Sequence, residues 1–324
     1  DAGPNCGNGC SRVAVEAQGR YSTKVFSEQA VKVIENHNAS RPLFLYLAYQ
    51  AVHSPAQVPA SYRDRYNATI PDMKRRTFAG MLSCMDEGLG NVTAALKSRG
   101  LSDDLLVIFT TDNGGPIFTG DAIGASNYPL KGGKHSIWEG GTRGTAVFWS
   151  SKRKPPAPSA TYSNLMHAAD WVPTLIEATN STEVAKALDL DLDGVSHWPY
   201  FYKTPGQETA PPPRGELVYG RHDDYPEAWK PYDDAIRQGD WKLIQGFGGY
   251  PYMYSNATSK LSGGRSSENQ TVQLFNVVDD PIEKDECSAA HQDVVQRLSA
   301  RLDQYRATAI DFPGGGGGQI RVVQ

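Results

Sequence analysis

The sequence predicts an α/β protein: a large mixed, mostly parallel sheet flanked by helices, followed by a small C-terminal antiparallel sheet with a packed helix. Three observations predict it. Stretches with a helical period alternate with short continuous apolar runs, the texture of strands joined by helical crossovers. After Pro211-Pro212-Pro213 the texture changes to short strand-like segments between turn residues. The composition, 39% hydrophobic and 10% aromatic over 324 residues, supports a sizeable core.

Each element follows in order. Residues 1–20 read as loop. Over 22–37, Val25, Phe26, Ala30, Val33 and Ile34 recur on one helical face, with Ser22 as the expected N-cap. Arg41-Pro42 breaks the pattern, and Leu43-Phe44-Leu45-Tyr46-Leu47-Ala48 reads as a strand buried on both faces. Residues 75–99 predict a second helix through Met81, Leu82, Met85, Leu89, Val92 and Leu96, ended by Gly100. Leu105 to Thr110 and Ala146 to Trp149 read as strands, and 163–178 as a helix with Trp171 and Leu175 inward. Beyond the prolines, 217–219, 235–237, 241–244 and 272–276 predict an antiparallel sheet, closed by a helix around Val294–Tyr305. The expected division is a loop over 1–20, an α/β region over 21–205, a small α+β module over 206–313, and a Gly-rich tail over 314–324.

Charge and length exclude several classes. Lys+Arg 32 against Asp+Glu 36 gives −4, and no basic block marks a nucleic-acid surface. The longest apolar stretch, Leu43 to Val52, contains Gln50 and is far shorter than the roughly 20 residues a membrane span needs. The chain opens Asp1-Ala2-Gly3-Pro4, without Met or a leader pattern, which reads as a processed protein or a piece of a longer one.

Asn38, Asn67, Asn91, Asn180, Asn256 and Asn269 each head an Asn-x-Ser/Thr triplet, and together they predict a glycoprotein of the secretory pathway, lysosomal or extracellular. Of the cysteines, Cys6 and Cys10 could pair in a tight loop. Cys84 fits a buried thiol, and Cys287 is either free or paired outside this chain.

In open α/β sheets ligands bind beyond the carboxyl ends of strands. One predicted strand runs into His53, the other into Asp112-Asn113-Gly114-Gly115. A carboxylate and an amide oxygen are hard ligands, suited to Ca²⁺ or Mg²⁺ rather than zinc. Lys131, Lys134 and His135 share a glycine-flexed loop before an aromatic anchor, Trp138. An ammonium near a divalent cation suits an oxyanion such as sulfate or phosphate.

Together, Asp112-Asn113-Gly114-Gly115, Lys131-Gly132-Gly133-Lys134 with Trp138-Glu139-Gly140-Gly141 and Arg143, the His53 strand end, and the run from His167 to Leu175 resemble the type I sulfatases of the alkaline-phosphatase superfamily. The nearest subgroup is arylsulfatase B-like, the N-acetylgalactosamine-4-sulfatases, to which Pro42 to Leu47, Asn91 to Ser98, Asp240 to Leu243 and Leu274 to Asn276 are also similar.

The resemblance implies a sulfuric ester hydrolase acting on sulfated sugars or aryl sulfates. Asp112 and Asn113 match the second half of the family's Ca²⁺ site. Lys134 matches the lysine on a sulfate oxygen, and His53 the histidine at the sulfate or leaving oxygen; Lys131 and His135 are candidate substrate contacts. The family's nucleophile, a formylglycine made from Cys-x-Pro/Ala-Ser-Arg, has no counterpart here, since Cys10-Ser11-Arg12 lacks the spacer. The opening Asp-Asp ligands and a Lys/His pair also belong upstream. The expected partner is therefore an N-terminal fragment of the same precursor. The alternatives are an inactive homologue with a storage, structural or glycan-binding role and, lower, a phosphatase or phosphodiesterase of the same superfamily.

Overall fold

A computed structural model describes residues 14–117, 124–153, 161–202, 211–220, 234–249, 253–254, 261–262, 272–308, 310–311 and 318–319. Cys6, Cys10, Asn256, Asn269 and most of the Gly-rich tail lie outside the described residues. The chain divides into two compact units, Asp1–Leu105 with Ile123–Ala125, and Leu106–Ala122 with Ser126–Gln324.

The first unit holds α1 (Ser22–Asn36), α2 (Ala60–Arg63) and α3 (Met73–Ser98). Helices α1 and α3 meet through Ala30 and Ile34 on one side and Val92, Ala95 and Leu96 on the other. The inward face of α1 runs through Thr23, Ser27, Ala30 and Ile34, while Val33, expected inside, is 47% exposed. The N-cap is Tyr21 rather than Ser22, without a side-chain cap. In α3, Asp72 caps the Arg75 N–H at 2.7 Å, an acceptor for one of the unpaired amides of a first turn. Gly100, at φ +69°, ends α3 with Gly100 N–H on Lys97 O and Leu101 N–H on Leu96 O, a Schellman arrangement. Cys84 is a buried free thiol, as read from its helical position.

The run at 43–48 differs from its expectation. It makes no strand pairing among the described residues. Leu43 and Leu47 pack on the α1/α3 core, but Phe44 and Tyr46 are 80% and 82% exposed. Alternation along extended backbone sends one set of side chains inward and the other outward. An apolar run cannot report whether a neighbouring layer covers its second face.

The second unit begins with β1 (Leu106–Thr110), then α4 (Glu139–Thr142) and β2 (Ala146–Ser150). Strand β1 pairs antiparallel with β2, Ile108 opposite Phe148. Helices α5 (Trp171–Ala178) and α6 (Thr182–Ala187) follow. The helix expected over 163–178 is shorter, a single 3₁₀ turn over Ala168–Asp170 leading into α5.

The C-terminal part is the antiparallel sheet expected. It comprises β3 (Glu216–Tyr219), β4 (Ala235–Gln238), β5 (Trp241–Gln245) and, after the short β6 (Met253–Tyr254) and β7 (Leu261–Ser262), β8 (Val272–Asn276). The order is β3-β4-β5-β8, with Ile236 opposite Leu243 and Leu243 opposite Leu274. These three sit under α7 (Gln292–Ala307), whose Val294, Leu298, Leu302 and Tyr305 recur at helical spacing. The class is thus mixed α/β, and the strand pairs among the described residues all run antiparallel.

One buried polar cluster holds the second unit around α5. Asp170, fully buried, accepts Arg214 Nη2–H at 2.6 Å and Nε–H at 2.8 Å, and the backbone N–H groups of His167 and Val195 at 2.7 and 2.8 Å. His197 Nε2 stands 3.2 Å from the same carboxylate. Burial alone would raise this carboxyl's pKa; the hydrogen bonds of His197, Arg214 and the backbone outweigh it and hold the group well below its usual range.

Two outcomes follow. Asp170→Asn removes the buried carboxylate charge bonded to a mostly buried guanidinium, and should cost about 3–5 kcal/mol in urea unfolding; a loss under about 1 kcal/mol would show the cluster is not a stabilising element. Because the folded carboxyl is depressed, its contribution is present above the ordinary aspartate range and fades as the pH falls below it.

Candidate functional site

Strand β1 ends at Thr110, and the chain turns through Asp112-Asn113-Gly114-Gly115. The Asp112 carboxylate accepts the Asn113 backbone N–H at 2.8 Å, and Asn113 Nδ2–H donates to Gly114 O at 2.7 Å. Both donor residues thus stand on a self-bonded turn, Asp112 exposed and Asn113 half-buried.

This turn is interlocked with the loop at 131–141. Gly114 N–H donates to Gly141 O at 2.9 Å, and Lys134 N–H to Gly115 O at 3.2 Å. Asn127 bridges the two: its Oδ1 accepts Gly115 N–H at 2.8 Å, while its Nδ2 donates to Gly115 O at 2.9 Å and Gly132 O at 3.1 Å. The approach is so close that a Cβ on Gly114 would lie 1.7 Å from Gly140 O. Gly132 takes φ +73°, a left-handed conformation that glycine adopts without strain. The paired glycines of both motifs are therefore contact surfaces as well as turn residues.

The loop is anchored beneath by Trp138, which is fully buried. Its indole N–H donates to Gly249 O at 2.7 Å, its ring meets Phe275 edge-on at 5.7 Å, and Ile137 N–H donates to Gly248 O at 2.9 Å.

The candidates read from the sequence fall into three groups. Asp112, Asn113 and Lys134 stand on the two interlocked segments. His135, at φ +71°, follows Lys134 on the same loop. Lys131 lies differently from a solvated substrate contact: its ammonium donates to Glu283 O at 2.9 Å and stands 3.8 Å from the centre of the Trp138 ring. Burial pulls its pKa below the usual lysine value. His53 belongs to the other compact unit. It is exposed, its Nδ1 2.9 Å from Ser54 O, in a segment with cis bonds at Ala51–Val52 and Ser54–Pro55.

Three residues that the sequence reading did not assign a role complete the geometry. Asn127 is the stitch just described. Glu139, next to the anchoring tryptophan, and Glu283 are both buried and face Lys242. The available signals were a lone Asn before Tyr128-Pro129 and a Glu inside the Trp-Glu-Gly-Gly run, neither of which names its distant partner.

The donor set at 112–113 suits calcium in kind, hard oxygens on adjacent residues. It does not suit it in number, since Ca²⁺ takes roughly 6–8 oxygen ligands. Among the described residues no group of three or more His, Cys, Asp or Glu gathers to hold a metal. The turn fits one edge of such a site. The four described glycosylation candidates, Asn38, Asn67, Asn91 and Asn180, are all exposed; Asn38 Oδ1 accepts both the N–H and the hydroxyl of Ser40 at 3.0 and 2.9 Å. No helix among the described residues is long and apolar enough to cross a membrane.

Interlock by glycine gives a sharp prediction. Gly114→Ala should destabilise the protein by about 1–3 kcal/mol or more as the loops are forced apart. Gly90→Ala, in α3 with nothing within 4 Å, should be neutral or stabilising by up to about 1 kcal/mol. Equal melting temperatures for the two variants would contradict the interlock.

The profile of the Sulfatase family matches residues 1–181. Mouse arylsulfatase J is 33% identical over 317 residues, covering 90% of this chain and 50% of the relative. Human N-acetylgalactosamine-6-sulfatase is 30% identical over 132 residues, covering 39% of this chain and 23% of the relative. The crystal structure of Ps i-CgsB in complex with k-i-k-neocarrahexaose superposes with a TM-score of 0.66 at 29% identity, covering 88% of this chain and 55% of that one. The chain thus spans about half the length of arylsulfatase J.

Proposed function

Taking as premise that this chain belongs to the sulfatase family, we propose that it is the larger, C-terminal part of a calcium-dependent sulfuric ester hydrolase of arylsulfatase B type. Its substrates are sulfated sugars or glycosaminoglycan ends, with aryl sulfates as surrogates. The observation that supports it most is the bonding of the Asp112–Gly115 turn to the backbone of Lys134, which joins the segment of two hard-cation donors to the segment that carries a lysine. The neocarrahexaose in the related structure supports an oligosaccharide substrate.

A sulfate ester is an anion whose leaving oxygen gains charge as the S–O bond breaks. Ca²⁺, held by Asp112, Asn113 and ligands from the remaining half, would supply positive potential, and a formylglycine from that half would supply the nucleophile. This chain's own residues do the rest. Lys134 holds a sulfate oxygen and opposes the developing charge. His135 contacts the same group from the adjacent position. His53, assigned on the resemblance, donates a proton to the leaving oxygen. Lys131 serves this site through the anchoring of its loop and only indirectly through substrate.

The companion is an N-terminal fragment of the same precursor. The exposed Phe44 and Tyr46, on a segment without strand pairing among the described residues, support this, since they present an apolar face that a neighbouring strand could cover. The six Asn-x-Ser/Thr triplets support passage through the secretory pathway and a lysosomal or extracellular address.

Denaturing mass spectrometry of native material should find a polypeptide carrying Cys-x-Pro/Ala-Ser-Arg, as a separate chain or as part of a longer one. A lone species of the mass of this chain would contradict the reading. In the complete protein, Lys134→Ala and His53→Ala should each lower kcat/KM for an aryl sulfate by about 10²–10³-fold with folding intact. An unchanged kcat/KM in either variant would remove that residue from the chemistry. Complete protein that is folded and calcium-loaded yet turns over no aryl sulfate or sulfated sugar would mark an inactive, glycan-binding homologue.

A further inference from the structure

Beneath the loop that carries Lys134 lies a cluster of charges with no part in the chemistry just described. Lys242, on β5, is fully buried. Its Nζ stands 3.0 Å from Glu139 Oε1 and 2.9 Å from Glu283 Oε1. The other carboxylate oxygen of Glu283 accepts the Glu139 backbone N–H at 2.7 Å. Arg237 Nη1, from β4, approaches Glu139 Oε2 at 3.7 Å, and the Tyr219 ring lies 5.1 Å from the Lys242 ammonium. Burial opposes the charge on Lys242, but the facing Glu283 and Glu139 outweigh it and raise its pKa above the usual lysine value.

We propose that Lys242, Glu139 and Glu283 form a buried ionic clamp that positions the Lys134 loop from the C-terminal sheet, making Lys242 and Glu283 positioning residues for the proposed hydrolysis. The inference rests on the reading of Lys134 given above. Glu283 grips the loop at both ends: its carboxylate takes the N–H at 139, and its backbone carbonyl takes the Lys131 ammonium at 2.9 Å. Gly140 N–H closes the loop on Lys131 O at 2.7 Å. Lys134 lies between these fixed points. Glu283 itself is held at φ +54°, rarely adopted by a residue with a side chain. Packed apolar side chains could fill this space at equal or better stability, but without fixing the direction of the peptide at 139. Charges at the junction of sheet and loop therefore point to geometry. The small C-terminal sheet becomes a scaffold of the active loop.

Lys242→Met alone strands two buried carboxylates and is expected to unfold. The informative variant is Lys242→Met with Glu139→Gln and Glu283→Gln, in which the charges are removed together. By hydrogen-exchange mass spectrometry of the complete protein, amides at 131–141 should exchange about tenfold faster or more, while α7 keeps its protection. In the complete protein, the triple variant should lose about 100-fold in kcat with KM nearly unchanged, the expected effect of a displaced but present lysine. A folded triple variant with unchanged exchange at 131–141 would overturn the clamp. A wild-type protein that fails to hydrolyse sulfate esters would overturn the hydrolase reading, and the exchange result alone would then decide the clamp. A triple variant that does not fold is replaced by Glu283→Gln alone, for which the same two exchange outcomes hold.

Discussion

Two glycine-rich segments lie against each other in this protein with no room for a side chain between them, and the candidate site depends on that contact. Gly114 faces the Gly140 carbonyl so closely that a methyl group cannot enter. Backbone hydrogen bonds across the contact are direct or run through Asn127, so the turn after β1 and the loop around Lys134 are joined as one piece. The proposed chemistry falls to Asp112, Asn113 and Lys134, and the geometry to the glycines between them. Preorganised charge is effective because it need not reorganise when the substrate's own charge develops.

The joined piece is supported from below by an unusual foundation. Trp138 fills the interior, and Lys242 with Glu139 and Glu283 places full charges where apolar groups would be expected. Such an arrangement is a poor route to stability, because desolvating each ion costs several kcal/mol. It is a good route to a single loop conformation. The Asp170 cluster around α5 follows the same pattern, a buried carboxylate saturated by a guanidinium and backbone amides.

Much of this was legible in the residues, and the failures share one cause. Helices α1, α3 and α7 and the C-terminal strands were readable because their signals are local: apolar spacing, a terminal glycine, turn residues between short runs. The two segments that carry Asp112, Asn113 and Lys134 stood out through their paired glycines, which the structure places against each other. What was not readable depends on distant partners. Lys131 was read as a candidate substrate contact, and its hydrogen-bond partner at 283, 152 residues away, gave no local signal. Glu139 passed as part of a motif, and its partner Lys242 is 103 residues away. Val33 and Leu82 matched the helical period yet face outward, 47% exposed in each case, because a period does not say where the facing helix ends. The run at 43–48 was read as doubly buried, but Phe44 and Tyr46 are exposed, because an apolar run does not say whether a second layer covers it.

The most direct test of the central claim is an anomalous-scattering map of the complete protein with calcium and inorganic sulfate bound. A metal peak is expected about 2.3–2.6 Å from an Asp112 carboxylate oxygen and the Asn113 amide oxygen, with sulfate between that ion and the Lys134 ammonium. Calcium bound elsewhere, or sulfate held without Lys134, would contradict it.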